Sequence, residues 1–225
     1  MAKKTSKKSA PKPLRRRLAV RWRKQKEPFY CGPACIQMVL GHLKVSRSQN
    51  ELFEDVVSSS QGERPVDAVC EPERACYQAQ VCDLCGSTWE CWDTDPDALV
   101  ATLNANAPPG VVFSVHYPGE FEEGARMLID SLRKPAKPAP AITTILSVNH
   151  WVVVNGYELE DPGTLESDAD GTAEHPPING LYLLDPREID ADQRVRLVTI
   201  TEWMERFGLI ECGEHEDRYV VIVKE

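Results

Sequence analysis

Among the residues able to attack a carbonyl carbon, Cys31 stands out by its setting in residues 25–40, QKEPFYCGPACIQMVL. Ile36, Val39, Leu40 and Leu43 recur at i, i+3, i+4 and i+7, the apolar stripe of a helix, with Pro33 near its start and Gly41 toward its end. Cys31 then stands where a helix begins. Free backbone N–H groups and the positive end of the helix dipole face its sulfur, a setting expected to favour the thiolate. Cys35, one turn further on, reads as a small buried hydrophobe. The spacing Cys-Gly-Pro-Ala-Cys has one residue too many for a thioredoxin-type redox pair.

A nucleophilic thiol works with a base, and the chain holds five His. His42 is ruled out, since 11 residues of helix place it roughly 16 Å from Cys31. His175 and His215 sit among polar loop residues, and His116 ends a strand just before Tyr117-Pro118 as a weaker competitor. His150 opens the run HWVVVNGYE, an imidazole at the mouth of an apolar strand, where a rigid sheet can hold it. Such a base is oriented by a third group, and Asp185 closes the run LYLLDP. If the two strands are antiparallel neighbours, the start of one lies beside the end of the other and His150 meets Asp185. Gln25, six residues before Cys31, can offer its amide to an oxyanion together with the Cys31 backbone N–H.

The elements that position these groups are read from periodicity and turn residues. Helices are expected near residues 48–57, 95–105 (capped by Asp95, with Pro96 in the first turn) and 201–207; strands at 111–115, 150–157, 181–184 and 219–223. Helices first and strands later is an α+β order, not alternating βαβ. Two insertions, 133–140 and 158–179, are expected to be exposed loops.

Length and charge bound the rest. A chain of 225 residues suffices for one domain with its own core, and no apolar run approaches the roughly 18 residues of a membrane span or supplies a secretory signal. The net charge of −9 is segregated: 12 of the 26 basic residues fall in positions 1–26, which hold no acidic residue. The remaining 14 face 35 acidic residues, a body of about −21. That body disfavours nucleic acid as a partner, except through the arm. Residues 1–20 read as a disordered basic arm, rich in Lys, Arg, Ser and Pro, and 21–225 as the folded domain. Docking of the arm onto the acidic body is a further expectation.

Gln-x5-Cys-Gly-Pro-Ala-Cys leading a helix, then His-Trp-Val-Val-Val, then Leu-Asp-Pro resembles the papain-like peptidases that process bacteriocin leader peptides after a double glycine, and their stand-alone relatives. The resemblance runs from Gln25 to the last strand. It implies an α+β papain-like fold with N-terminal helices on a C-terminal antiparallel sheet. It also implies Cys31 as nucleophile, His150 as general base and acid, Asp185 as its orienter and Gln25 in the oxyanion hole, acting on a peptide or protein. Export coupling would come from a separate transporter, since no spanning or nucleotide-binding segment is present. No Gly-Gly occurs in the chain to support self-cleavage at such a site.

Other outcomes fit the same residues: acyl transfer or glutamine deamidation through the same acyl-enzyme, or an idle papain-like module that binds a peptide. Cys70, Cys76, Cys82, Cys85 and Cys91 form a separate cluster. Only Cys82 and Cys85 have the two-residue spacing of a zinc ligand pair, with Cys76 and Cys91 as candidates to complete a site. Reduced thiols without cofactor are the leading expectation, in a cytoplasmic protein, an exported effector being the alternative.

Overall fold

The computed structural model describes residues 13–28, 30–59, 80–81, 88–89, 94, 96–134, 138–145, 150–160, 177–187, 194–207, 211–212, 215–216 and 220–224. In chain order the elements are β1 (Leu14–Arg17), α1 (Cys31–His42), α2 (Gln49–Ser59), β2 (Gln80–Val81), β3 (Thr88–Trp89), α3 (Pro96–Asn106), β4 (Phe113–His116), α4 (Phe121–Arg133), β5 (Ala141–Ile145), β6 (His150–Leu159), β7 (Ile178–Leu184), β8 (Arg196–Thr199), α5 (Ile200–Arg206), β9 (Glu211–Cys212), β10 (His215–Glu216) and β11 (Val220–Val223). Cys70, Cys76, Cys82, Cys85, Cys91, Asp95 and His175 lie outside the described residues.

An antiparallel seven-stranded sheet runs β4-β11-β5-β6-β7-β8, with β1 also paired to β6. Side chains alternate across it into two cores. Ile142, Trp151, Val153, Leu184, Val221 and Val223 pack with Ile36, Val39, Leu40, Leu52 and Leu99 from α1, α2 and α3. Val152, Val154, Leu181, Leu183, Val198 and Val220 pack with Leu128, Leu132 and Trp203 from α4 and α5. Helices on both faces explain why β6 reads as an almost continuous apolar run: all ten of its residues are buried, so neither face needs to be polar.

The basic arm is a correction. Residues 14–17 do not extend into solvent; they form β1, antiparallel to β6, with Leu14 opposite Leu159 and Arg17 opposite Gly156. The cause lies in β5, which pairs with β6 only between His150 and Val154, leaving the backbone groups of 156–159 open on that edge. Docking places Arg15 against Glu158 at 2.7 Å and the Arg17 guanidinium 5.7 Å from the centre of the Tyr182 ring, offsetting the repulsion within the basic run. A Cβ at Gly156 would stand 2.5 Å from the Arg16 carbonyl oxygen, so β1 needs that glycine. Residues 14–17 of the expected arm are thus strand-paired to the sheet.

Candidate active site

The N-terminal end of α1 abuts the start of β6, and β7 runs antiparallel to β6 with Val153 opposite Leu184. This register brings Asp185, just past β7, beside His150, the first residue of β6. Asp185 Oδ1 lies 2.6 Å from His150 Nε2. A carboxylate only accepts, so Nε2 carries the ring proton and Nδ1 of the neutral ring is left as the proton acceptor. Asp185 Oδ1 also accepts the Arg187 backbone N–H at 2.8 Å, which fixes the carboxylate plane. The Cys31 sulfur accepts the backbone N–H of Trp151, the residue after His150. Cys31, His150 and Asp185 therefore lie at one end of the sheet.

Trp151 anchors this corner. Its indole N–H donates to the Thr94 carbonyl at 3.0 Å, while its ring is buried in the first core. Thr94 in turn fills the space over Gly32, where any Cβ would meet its side chain at 2.4 Å. Gly32 thus allows the start of α1 to approach closely.

The electrostatics depart from the expected thiolate. Burial pushes the Cys31 thiol up, and the N–H groups of Trp151, Gly32 and Cys31 itself, with the Arg187 charge, offset this only in part. Helix-end amides act as anticipated; desolvation of the charge outweighs them. Burial likewise lowers His150, against the raising influence of the Asp185 hydrogen bond and charge. Burial would raise Asp185, yet the bond from His150, its charge and the Arg187 N–H hold the carboxyl below its ordinary range. Both directions favour uncharged forms near neutral pH, a thiol for Cys31 and a neutral imidazole for His150. Cys35 is fully buried, and desolvation drives its thiol well up, in keeping with a packing role.

A pH dependence of stability follows. The unfolded chain takes a proton at the ordinary imidazole value of 6.5, while the folded chain resists it, so stability rises with pH through this window and falls as pH drops below it. Asp185 acts with the same sign at lower pH: its contribution is present above the unfolded carboxyl value and is lost as pH falls through its lower folded value. Urea midpoints should decrease between about pH 7.5 and about pH 5.5, and His150→Gln should flatten that slope. An unchanged slope in the variant would place the titration elsewhere.

Gln25 is buried in the segment leading to α1, but its amide serves its own loop. Nε2 donates to the carbonyls of Glu27 at 2.8 Å and Pro28 at 2.6 Å, which uses both amide protons. Oε1 is buried with no hydrogen-bond partner among the described residues. For this amide to serve an oxyanion, as the sequence leads one to expect, one of these loop bonds would have to exchange. Gln49, which the sequence reading did not single out, clasps this segment: it accepts from Lys26 N at 2.9 Å and donates to the Lys24 carbonyl at 2.8 Å. No local motif signals such a long-range clasp. Two other histidines lie elsewhere, His42 Nδ1 against the Ala19 carbonyl and His116 against Ser114 on the edge strand β4. Among the described residues, no group of three or more His, Cys, Asp or Glu is arranged to hold a metal ion, and the zinc candidates Cys76, Cys82, Cys85 and Cys91 lie outside them. No described helix is long and apolar enough to cross a membrane.

Comparison with known proteins adds the following. A family model described as Peptidase_C39 like family matches residues 17–203. Among solved structures, the chain is similar to a double glycine motif protease from an AMS/PCAT transporter in complex with the leader peptide, at 16% identity and TM-score 0.48, over 94% of this chain and 96% of that one. It is also similar to a protein assigned as a C39-like peptidase from Bacillus anthracis, at 12% identity and TM-score 0.49, over 92% and 96%. No curated protein matches the sequence.

Proposed function

The chain belongs to the Peptidase C39-like family, a family of cysteine peptidases with an α+β papain-like fold, and from that premise we propose that it hydrolyses peptide bonds through an acyl-enzyme on Cys31. The observation that carries this reading is the 2.6 Å contact of His150 Nε2 with Asp185, at the corner where the Trp151 N–H reaches the Cys31 sulfur.

The chemistry starts from the neutral pair. As the sulfur approaches the scissile carbonyl, His150 Nδ1 takes the thiol proton and the thiolate forms only as it is used. Asp185 keeps the ring turned and stabilises the imidazolium. The Cys31 backbone N–H at the head of α1 donates to the developing oxyanion; for Gln25 to join it, one of its loop bonds must exchange for the substrate oxygen. Collapse breaks the C–N bond, and His150 returns the proton to the departing amine. Water, deprotonated by the same imidazole, then cleaves the thioester and restores the thiol.

Acyl transfer and deamidation share the first half of this sequence, so products decide among them. Incubation with a peptide library, read by mass spectrometry, should yield paired fragments that together contain one added water. Intact peptides with an amide converted to acid, or peptides joined to amines, would replace hydrolysis by the competing reactions.

A further inference from the structure

We propose that Trp22 is a positioning residue for the reaction, acting through Asp185: its indole N–H donates to the Asp185 carbonyl oxygen at 2.8 Å and holds the loop that presents the carboxylate to His150. This rests on the peptidase reading above but concerns a different part of the chain, the strap that joins β1 to α1.

The strap is fastened along its length. At its start Leu18 N donates to the Asn155 carbonyl at 2.7 Å, and Asn155 Nδ2 donates back to the Leu18 carbonyl at 3.0 Å. At its end Gln49 on α2 grips the backbone of Lys24 and Lys26. Between these anchors the strap reaches the catalytic loop twice, through Trp22 to the Asp185 carbonyl and through the Gln25 N–H to the Pro186 carbonyl at 2.9 Å. The indole is itself held, with the Arg194 guanidinium 4.5 Å from its ring centre and the first core beneath it. Asp185 lies outside β7, so no sheet ladder restrains it. The strap supplies that restraint. A carboxylate on a loop free to move would hold the imidazole less firmly in the tautomer with Nε2 protonated.

Trp22→Phe removes the N–H and keeps an aromatic face for Arg194. The charged groups acting on His150 are Asp185 and Arg187 on the loop, and the Cys31 thiol on α1 meets the backbone N–H of the next residue, Trp151. A looser Asp185 gives up part of its raising influence on the imidazole. The variant should therefore lose roughly tenfold in kcat with KM little changed. The acid limb of kcat/KM and the His150 ring titration followed by NMR should both move to lower pH. A purely structural role would lower the melting temperature and leave the His150 titration in place. That result, or wild-type kcat in the variant, overturns the proposal. The ring titration needs no turnover, so it also answers if the peptidase reading fails: a shifted titration without hydrolysis keeps the Trp22 link, and hydrolysis with an unshifted titration keeps only the peptidase. Should Trp22→Phe not fold, the native protein still decides. The Trp22 indole proton should exchange slowly and shift with the His150 titration, and a fast-exchanging or unresponsive proton rejects the link.

Discussion

Cys31→Ala is expected to remove peptide hydrolysis, with kcat/KM down by at least about 10⁴-fold and the fold retained. The covalent step is proposed for one sulfur, and along α1 the other thiol is Cys35, fully buried one turn further on. Alanine is a good helix former and leaves the α1 backbone N–H groups where they are, so the stability change should stay under about 1 kcal/mol. Unfolding midpoints and hydrolysis rates measured on the same preparation separate the two effects. Residual hydrolysis within tenfold of the native rate would move the nucleophile to another residue.

The second large effect is His150→Ala, expected to cost about 10³- to 10⁴-fold in kcat/KM near neutral pH. The burial that raises the Cys31 thiol makes this loss severe, because without an acceptor the neutral thiol has no partner to take its proton. The pH profile then changes shape. Native enzyme should show an acid limb, where the buried imidazole gains a proton and can no longer accept one. In the variant that limb disappears and the rate climbs with pH as thiolate forms unaided. Were the resting state a preformed ion pair, the native acid limb would instead reflect a depressed thiol, and alkylation of Cys31 would remain rapid in mild acid. Rates of Cys31 alkylation across pH distinguish these, the neutral pair giving slow alkylation in acid that accelerates as pH rises.

Much of this corner was legible because its signals are local. Cys31 at the head of an apolar helical stripe, His150 opening a buried strand and Asp185 ending the next one define the contact by antiparallel register alone, and the register Val153 opposite Leu184 delivers it. The extent of β6 and β7 was underread by two or three residues, since Glu158 looks like a loop residue until Arg15 pairs with it. The helix α4 was missed although Phe121, Ala125, Leu128 and Leu132 mark its inner face; Gly124 and the acidic residues around it obscured the period. β5, the run AITTI directly after the Pro-rich segment 133–140, was missed as well.

What the sequence could not carry was long-range. The strand formed by Leu14–Arg17 depends on an edge of β6 left open by a short β5, information held in another part of the chain. The ionisation of Cys31 depends on how deeply α1 sinks against β6, and no local motif records depth. The same holds for Gln25, whose position before Cys31 suggests an oxyanion donor while its bonds to Glu27 and Pro28 keep it in the loop. In the proposed mechanism these depths matter as much as residue types: a buried, neutral thiol would need its imidazole at each turnover, and the strap and loop would keep that imidazole turned.

The most direct test of the central claim is to mix the protein with an activated ester of a peptide it cleaves, quench in acid before deacylation, and map the acyl group by mass spectrometry. One equivalent of acyl group on Cys31, absent after His150→Ala on the same time scale, is the expected result. Turnover with the acyl group on any other residue, or with none on Cys31 under conditions where deacylation limits the rate, would contradict it.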